Sequence, residues 1–138
     1  MKAKLTLAIV ICALLSVSAL PLLAQTADKP MVVKYIRMAY NGRSSTGTDS
    51  VSALVYVRDA ANRKVVGATV DVLWTVTNLD GEVVYQDTAT AVTTKYGYAR
   101  LKLWEGKGIY TLTVTNVTKS GYVWDQVSAL TTASIAAR

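Results

Sequence analysis

Ala68-Thr69-Val70-Asp71-Val72-Leu73-Trp74-Thr75-Val76-Thr77 is the stretch that decides the fold. Ala68, Val70, Val72, Trp74 and Val76 alternate with Thr69, Asp71, Leu73, Thr75 and Thr77. Successive side chains of an extended strand point to opposite faces of a sheet, so a period of two marks a strand with one buried side. The pattern recurs on either side of this stretch. Val51, Ala53, Val55 and Val57 alternate with Ser52, Leu54, Tyr56 and Arg58; Ala99, Leu101 and Leu103 with Arg100 and Lys102; Tyr110, Leu112 and Val114 with Thr111, Thr113 and Thr115. The first-named set of each is the expected core.

Turn signals separate these runs at Asn41-Gly42, Asp59 to Asn62, Leu79-Asp80-Gly81, Lys95-Tyr96-Gly97 and Glu105-Gly106-Lys107-Gly108. Glycine supplies positive φ in such turns, and Asn or Asp bonds its own backbone. The resulting map predicts strands near Val32 to Tyr40, Val51 to Arg58 and Ala68 to Thr77, and a hairpin-like pair within Glu82 to Thr94. Strands near Tyr98 to Trp104 and Ile109 to Val117 follow, a polar corner at Thr118 to Tyr122, and a last strand within Trp124 to Ile135. No helical stripe is visible. About seven antiparallel strands bury every apolar face most simply as two packed sheets, an all-β sandwich over residues 31–138.

The N-terminus has a different character. Lys2 and Lys4 precede an unbroken apolar run from Leu5 to Leu15, and then come Ser16, Ser18, Pro21 and Ala24. That is the layout of a secretory signal peptide, here residues 1–24, with 25–30 a short polar linker ending in Pro30. The alternative keeps Leu5 to Ala24 as an anchor of about bilayer length; Pro21 and the two serines favour cleavage. The expected location is secreted or extracytoplasmic, in a periplasm or at a cell surface, with no membrane span after cleavage. The single cysteine, Cys12, lies inside the leader, so the domain has no disulfide and no thiolate chemistry. Lys2 and Lys4 also depart with the leader, leaving 13 of the 15 basic residues against 9 acidic ones, a net charge of +4. No block of like charge appears, and nucleic acid is not an expected partner.

Specific residues then suggest a family. Val65-Val66-Gly67-Ala68-Thr69-Val70 resembles the entry to a central strand in bacterial immunoglobulin-like domains of the invasin and intimin type. Thr94, Gly97 and Ala99 resemble the spaced residues that follow in those domains, and Gly108-Ile109-Tyr110 their Gly-x-Tyr strand. The resemblance runs from Ser50 to Val117 and more loosely to Val123-Trp124-Asp125, where similar modules appended to secreted proteases carry an aromatic before Asp. It implies an immunoglobulin-like β-sandwich. In such a sandwich the Tyr110 ring enters the core and its hydroxyl reaches a backbone group at a corner.

The chain contains no histidine, which removes the commonest general base and metal ligand near neutral pH. Asp80 and Glu82 flank Gly81, where a solvated hairpin tip explains them better than a catalytic or metal-binding pair. No catalytic, cofactor or metal site is expected. The aromatic inventory is unusual, with eight Tyr, three Trp and no Phe, so every ring carries a polar handle. Trp74 belongs to the expected core, and Trp104 to a core edge or the surface. Tyr96, Tyr98, Tyr122 and Trp124 flank turns near Lys95 and Lys119. Together with Trp104 they form either a platform for sugars or a protein partner, or ordinary aromatics capping the sandwich ends. The stretch from Val127 to Ala137 is either the final strand or one donated to another copy, a route to self-association through sheet edges. The expected role is non-enzymatic: adhesion, surface structure or protein binding, with protein or a cell-envelope polymer as partner. The alternative is an accessory domain that binds carbohydrate or polymer beside an exported enzyme.

Overall fold

The computed structural model describes residues 28–43, 47, 49–127 and 129–138, so the leader and the first half of the linker lie outside the described residues. Eight strands follow one another: β1 Lys29–Arg43, β2 Asp49–Asp59, β3 Thr69–Thr77, β4 Val83–Val92, β5 Tyr98–Leu103, β6 Gly108–Thr118, β7 Tyr122–Trp124 and β8 Thr132–Ala137. One sheet has the order β5-β2-β1-β7 and the other β4-β3-β6-β8. All pairings are antiparallel except that of β1 with β7. The connections β1–β2 and β3–β4 stay within a sheet and the other five cross between the sheets, so the chain forms a two-sheet sandwich with β4 at the edge beside β3.

The alternation works as expected in the strands that have a neighbour on each side. Val51, Ala53, Val55 and Val57 of β2 face Val70, Val72, Trp74 and Val76 of β3 and Tyr110, Leu112 and Val114 of β6 across a dry interior. Each such aliphatic side chain contributes about 1.5–3 kcal/mol relative to exposure. Three details of the map change. The expected hairpin pair within Glu82 to Thr94 is one ten-residue strand, β4, because no Gly, Asn or Pro interrupts Val83 to Val92. The first strand begins at Lys29, so the last two linker residues are in it: the Lys29 amide donates to the Gly121 carbonyl at 3.0 Å, and Pro30 pairs with Val123. The expected last strand is two, with β7 parallel to β1, and β8 pairing with β6 of its own chain.

Two buried polar groups fasten the connections. The Thr93 hydroxyl accepts from the Ala68 amide at 2.8 Å and donates to the Val65 carbonyl at 2.7 Å. Backbone bonds Thr93 N–H to Ala68 O and Gly67 N–H to Thr93 O complete a latch between the entry to β3 and the exit from β4. Gly67 has φ +73°, which is what turns the chain here. The Tyr110 ring is fully buried and meets Trp74 edge to face, with centroids 6.4 Å apart. Its hydroxyl donates to the Gly106 carbonyl at 2.6 Å and accepts from the Glu105 amide at 3.1 Å, so it ties the β5–β6 turn to the core. Burial foremost keeps this phenol protonated by raising its pKa.

Strand β4 is an open edge with Val83, Val84 and Val92 exposed, the kind of surface that templates pairing with another chain. Its only charge, Asp87, takes the Thr88 amide at 2.8 Å and thereby withholds that donor.

Thr93→Val keeps the shape of the latch but leaves the Ala68 amide and Val65 carbonyl unpaired in a buried site. It lowers unfolding stability by about 2 kcal/mol, read as a fall in urea midpoint at unchanged slope. Asp87→Val frees the β4 edge, and sedimentation velocity then shows a concentration-dependent dimer absent from the parent chain.

Candidate functional site

On β5 the core residues Ala99, Leu101 and Leu103 leave the opposite side to Tyr98, Arg100 and Lys102, and the alternation continues to Tyr96 before the strand and Trp104 after it. Every outward position from 96 to 104 is therefore aromatic or cationic. Strand register extends this across the sheet. Tyr98 pairs with Tyr56 and Tyr56 with Tyr35; in the next row Arg100 pairs with Leu54 and Leu54 with Arg37. A register shift in β1 between Val33 and Tyr35 sets the Tyr35 ring in this row.

The rings form a ladder. Tyr35 and Tyr56 stack with centroids 4.1 Å apart, Tyr56 and Tyr98 tilt at 5.3 Å, and Tyr98 and Tyr96 stack at 6.0 Å. Face-to-face neighbours occupy much of one another's ring surface, leaving edges and hydroxyls toward solvent. The Tyr56 phenol is held protonated by desolvation first and then by the adjacent Tyr35, partly offset by Arg37. Cations surround the ladder. Arg58 lies 5.7 Å from the Tyr56 centroid, Lys95 and Lys64 lie 5.1 and 5.8 Å from that of Tyr96, and Lys102 lies 4.8 Å from that of Trp104. Such exposed cation–π contacts contribute about 0.5–1 kcal/mol each. No Asp or Glu occurs within 35–41, 52–58 or 96–104, the three segments that build the face. Beside the ladder, Arg100, Lys102, Asn41 and Ser52 surround a shallow hollow floored by Leu54.

The turn after β2 holds Arg58 and Lys64 in place. The Asp59 carboxylate accepts from the Ala61 amide at 2.9 Å, the Arg63 amide at 2.8 Å and the Arg63 guanidinium at 2.9 Å. These bonds, that of the Arg63 amide foremost, hold its pKa below the ordinary value of 3.8 against the opposing effect of desolvation. Gly97, at φ +76°, leaves room for Arg58: a Cβ there would sit 2.5 Å from the guanidinium, which donates to the Gly97 carbonyl at 3.3 Å.

The structure divides the residues grouped by sequence. Tyr96, Tyr98, Trp104 and Lys95 belong to this face, with Trp104 half-exposed at its far end rather than at the core edge. Tyr122, Trp124 and Lys119 lie elsewhere, around an open groove of about 670 Å³ that Thr69 and Asn116 also line. There Tyr122 and Trp124 are half-buried against the core, because the parallel pairing of β7 with β1 lays them down on it. Sequence reasoning missed Tyr35, Tyr56, Arg37, Arg58, Arg100 and Lys102 as members of a face. The alternation from Tyr96 to Trp104 is a signal for the β5 part; the Tyr35 and Tyr56 rows require the strand register. Asp80 and Glu82 are exposed at the β3–β4 hairpin tip, where Asn78 donates to the Glu82 carboxylate at 3.0 Å. Among the described residues no group of three His, Cys, Asp or Glu side chains is placed to hold a metal ion, and no helix is long and apolar enough to cross a membrane.

Comparison with protein-family models, with curated proteins and with solved structures finds no match.

The lowered pKa of Asp59 has a signed consequence. The unfolded chain binds this proton at higher pH than the folded one, so the stabilisation is full above the ordinary carboxylate value and is lost as pH falls through the folded pKa. Urea unfolding between about pH 5 and pH 2 loses part of its acid dependence in Asp59→Asn.

Proposed function

We propose that this chain is an exported, non-enzymatic immunoglobulin-like module of the invasin and intimin type, serving in adhesion, surface structure or protein binding, and that it binds through the outer face of β1, β2 and β5. The observation that carries the reading is the outward series Tyr98, Arg100 and Lys102 on β5 with Tyr96 just before the strand and Trp104 just after it, flanked by the Tyr56–Tyr35 ladder. Sheet-forming residues exposed for solubility alone are mixed in sign and rich in hydroxyls. The outer face of the other sheet has that character, with Thr90 bonded to Asp71, Gln86 to Thr75 and Thr111 to Ser134. One sheet thus presents hydroxyl and amide side chains with the Asp71 carboxylate among them, and the opposite one concentrates rings and positive charge. Aromatic and Arg residues are the types that dominate binding energy at interfaces.

A second reading makes the domain an accessory unit that holds carbohydrate or polymer beside an exported enzyme. Trp104 and Tyr96 favour it, since they are half-exposed rings at the two ends of a cationic track.

Co-sedimentation of the full chain with bacterial cell envelopes tests the binding face. The parent chain pellets with the envelopes, and Arg100→Glu with Lys102→Glu reduces the bound fraction by about tenfold or more, the effect of roughly 1.4 kcal/mol. The same charge reversal at Lys29 and Lys107, exposed away from this face, leaves binding unchanged. Equal loss in both pairs, or no binding by the parent, overturns the reading.

A further inference from the structure

We infer that the outer edge of this face is a binding track for an acidic polysaccharide, which lies along β5 with its carboxylates or sulfates against Arg100, Lys102 and Arg37 and its sugar rings against Trp104 and Tyr96. The inference rests on the proposal that this face is the binding surface, and it adds the chemical class of the ligand.

Geometry sets the length. Tyr98 to Leu103 is extended, about 17 Å at the rise of a strand, with Trp104 directly after it and Tyr96 on the turn before it, its ring 6.0 Å from that of Tyr98. That is a linear path several sugar units long, with a ring at each end and two cations between. β5 is the edge of its sheet, and only β2 pairs with it there. A rod-like polymer therefore meets no obstruction on its outer flank.

Charge sets the sign. The three segments that form the face contain Arg37, Arg58, Arg100 and Lys102 and no carboxylate, and Lys64 and Lys95 add to it at Tyr96. Lys95 and Lys102 rest over aromatic rings, contacts weak enough to exchange for an anion. The hollow enclosed by Asn41, Ser52, Arg100 and Lys102 pairs neutral donors with cations. That combination suits an anionic group carried on a hydroxylated ring.

The arrangement of the tyrosines chooses among polyanions. Tyr35, Tyr56 and Tyr98 are packed in a row that Tyr96 closes, so apart from the half-exposed terminal ring of Tyr96 they offer hydroxyl-bearing edges rather than a row of free ring faces. Single-stranded nucleic acid is held by stacking successive bases on open aromatic faces, which this ladder does not present. A protein partner takes its energy from an apolar centre with pockets for anchor residues. Here the floor is a single leucine, Leu54, in a shallow hollow. Hydroxylated, negatively charged sugars match edges, amide and cations together.

Affinity electrophoresis and calorimetry of the full chain with polygalacturonate test this. Polygalacturonate retards the chain, and its carboxyl-reduced, neutral form does not. Affinity falls steeply with added salt, as for other contacts of cations with a polyanion. Arg100→Ser with Lys102→Ser weakens binding about tenfold or more and flattens the salt dependence. Trp104→Ala weakens it several-fold while leaving the salt dependence unchanged, and circular dichroism confirms that each variant remains folded. Three results overturn the inference: oligodeoxythymidylate binding at least as tightly as polygalacturonate, equal retardation by the neutral polymer, or no effect of the β5 substitutions. If envelope binding still depends on Arg100 and Lys102 while polygalacturonate fails to bind, the face stands as the binding surface and the acidic polysaccharide is excluded. If neither depends on them, the reading of the face falls as well.

Discussion

The edge-to-face contact of Trp74 and Tyr110 is the interaction on which the remainder of the molecule depends. Both rings lie on one sheet, on the paired strands β3 and β6, and belong to the one core cluster that the inward residues of β2 and β5 complete. Tyr110 then does a second thing with the same side chain. Its hydroxyl holds the backbone on either side of Gly106, so the core fixes the turn that leads out of β5. Gly108, at φ +150°, lets that turn descend against the end of β3, where a Cβ would meet the Thr77 carbonyl at 2.7 Å. The direction of β5, and with it the outward set from Tyr96 to Trp104, is thus set from within. Trp74 Nε1 has no hydrogen-bond partner among the described residues. A buried indole donor left unpaired costs about 1–3 kcal/mol, a cost offset by the area that the ring buries.

The alternation that reveals β2, β3 and β6 does so because these strands have neighbours on both sides and a covered inner face, so the inward positions along the middle of each are apolar, and the buried carboxylates Asp49 and Asp59 stand only at the two ends of β2. Strand β4 obscures itself by being an edge. Val83, Val84 and Val92 are exposed while its inward residues Tyr85, Ala89 and Ala91 are only partly covered, so the pattern over Glu82 to Thr94 reads as two short runs. The end of the chain is misread for a related reason. Val127 is almost fully exposed at 97%, and what separates β7 from β8 is that the former pairs with β1 in parallel, a long-range partner with no local signature. Thr93, not the neighbouring Thr94, carries the buried latch; a hydroxyl that satisfies two groups 25 and 28 residues away is a tertiary fact.

The candidate face follows the same division between local and non-local information. Tyr96, Tyr98, Trp104 and Lys95 are legible as candidates because they cluster in one short segment. Tyr56 and Arg58 are legible as outward residues of β2 and no more. Their meeting with Tyr98 on one side and Tyr35 on the other depends on the pairing register, and for Tyr35 also on an irregularity in β1 that no residue pattern announces. Tyr122 and Trp124 illustrate the converse. Their composition and turn setting match those of Tyr96 and Tyr98, but the corner after β6 folds them onto the core, whereas the corner before β5 directs its rings outward.

A strand that is one residue thick separates these two roles cleanly. On β5, Ala99 and Leu101 hold the sandwich together while Arg100 and Lys102, their immediate neighbours, make no contact with the interior. Substituting the outward set leaves the buried area unchanged, so the chemistry of the face is free to vary at little cost in folding energy. The exceptions are the positions where face and frame share an atom. Arg58 is one, since its guanidinium lies against a ring of the face and also bonds the carbonyls of Val57 and Gly97. Asp59 is the other, since the turn it organises carries both Arg58 and Lys64. These two residues couple the cationic surface to the fold, and there a change in binding chemistry and a change in stability arrive together.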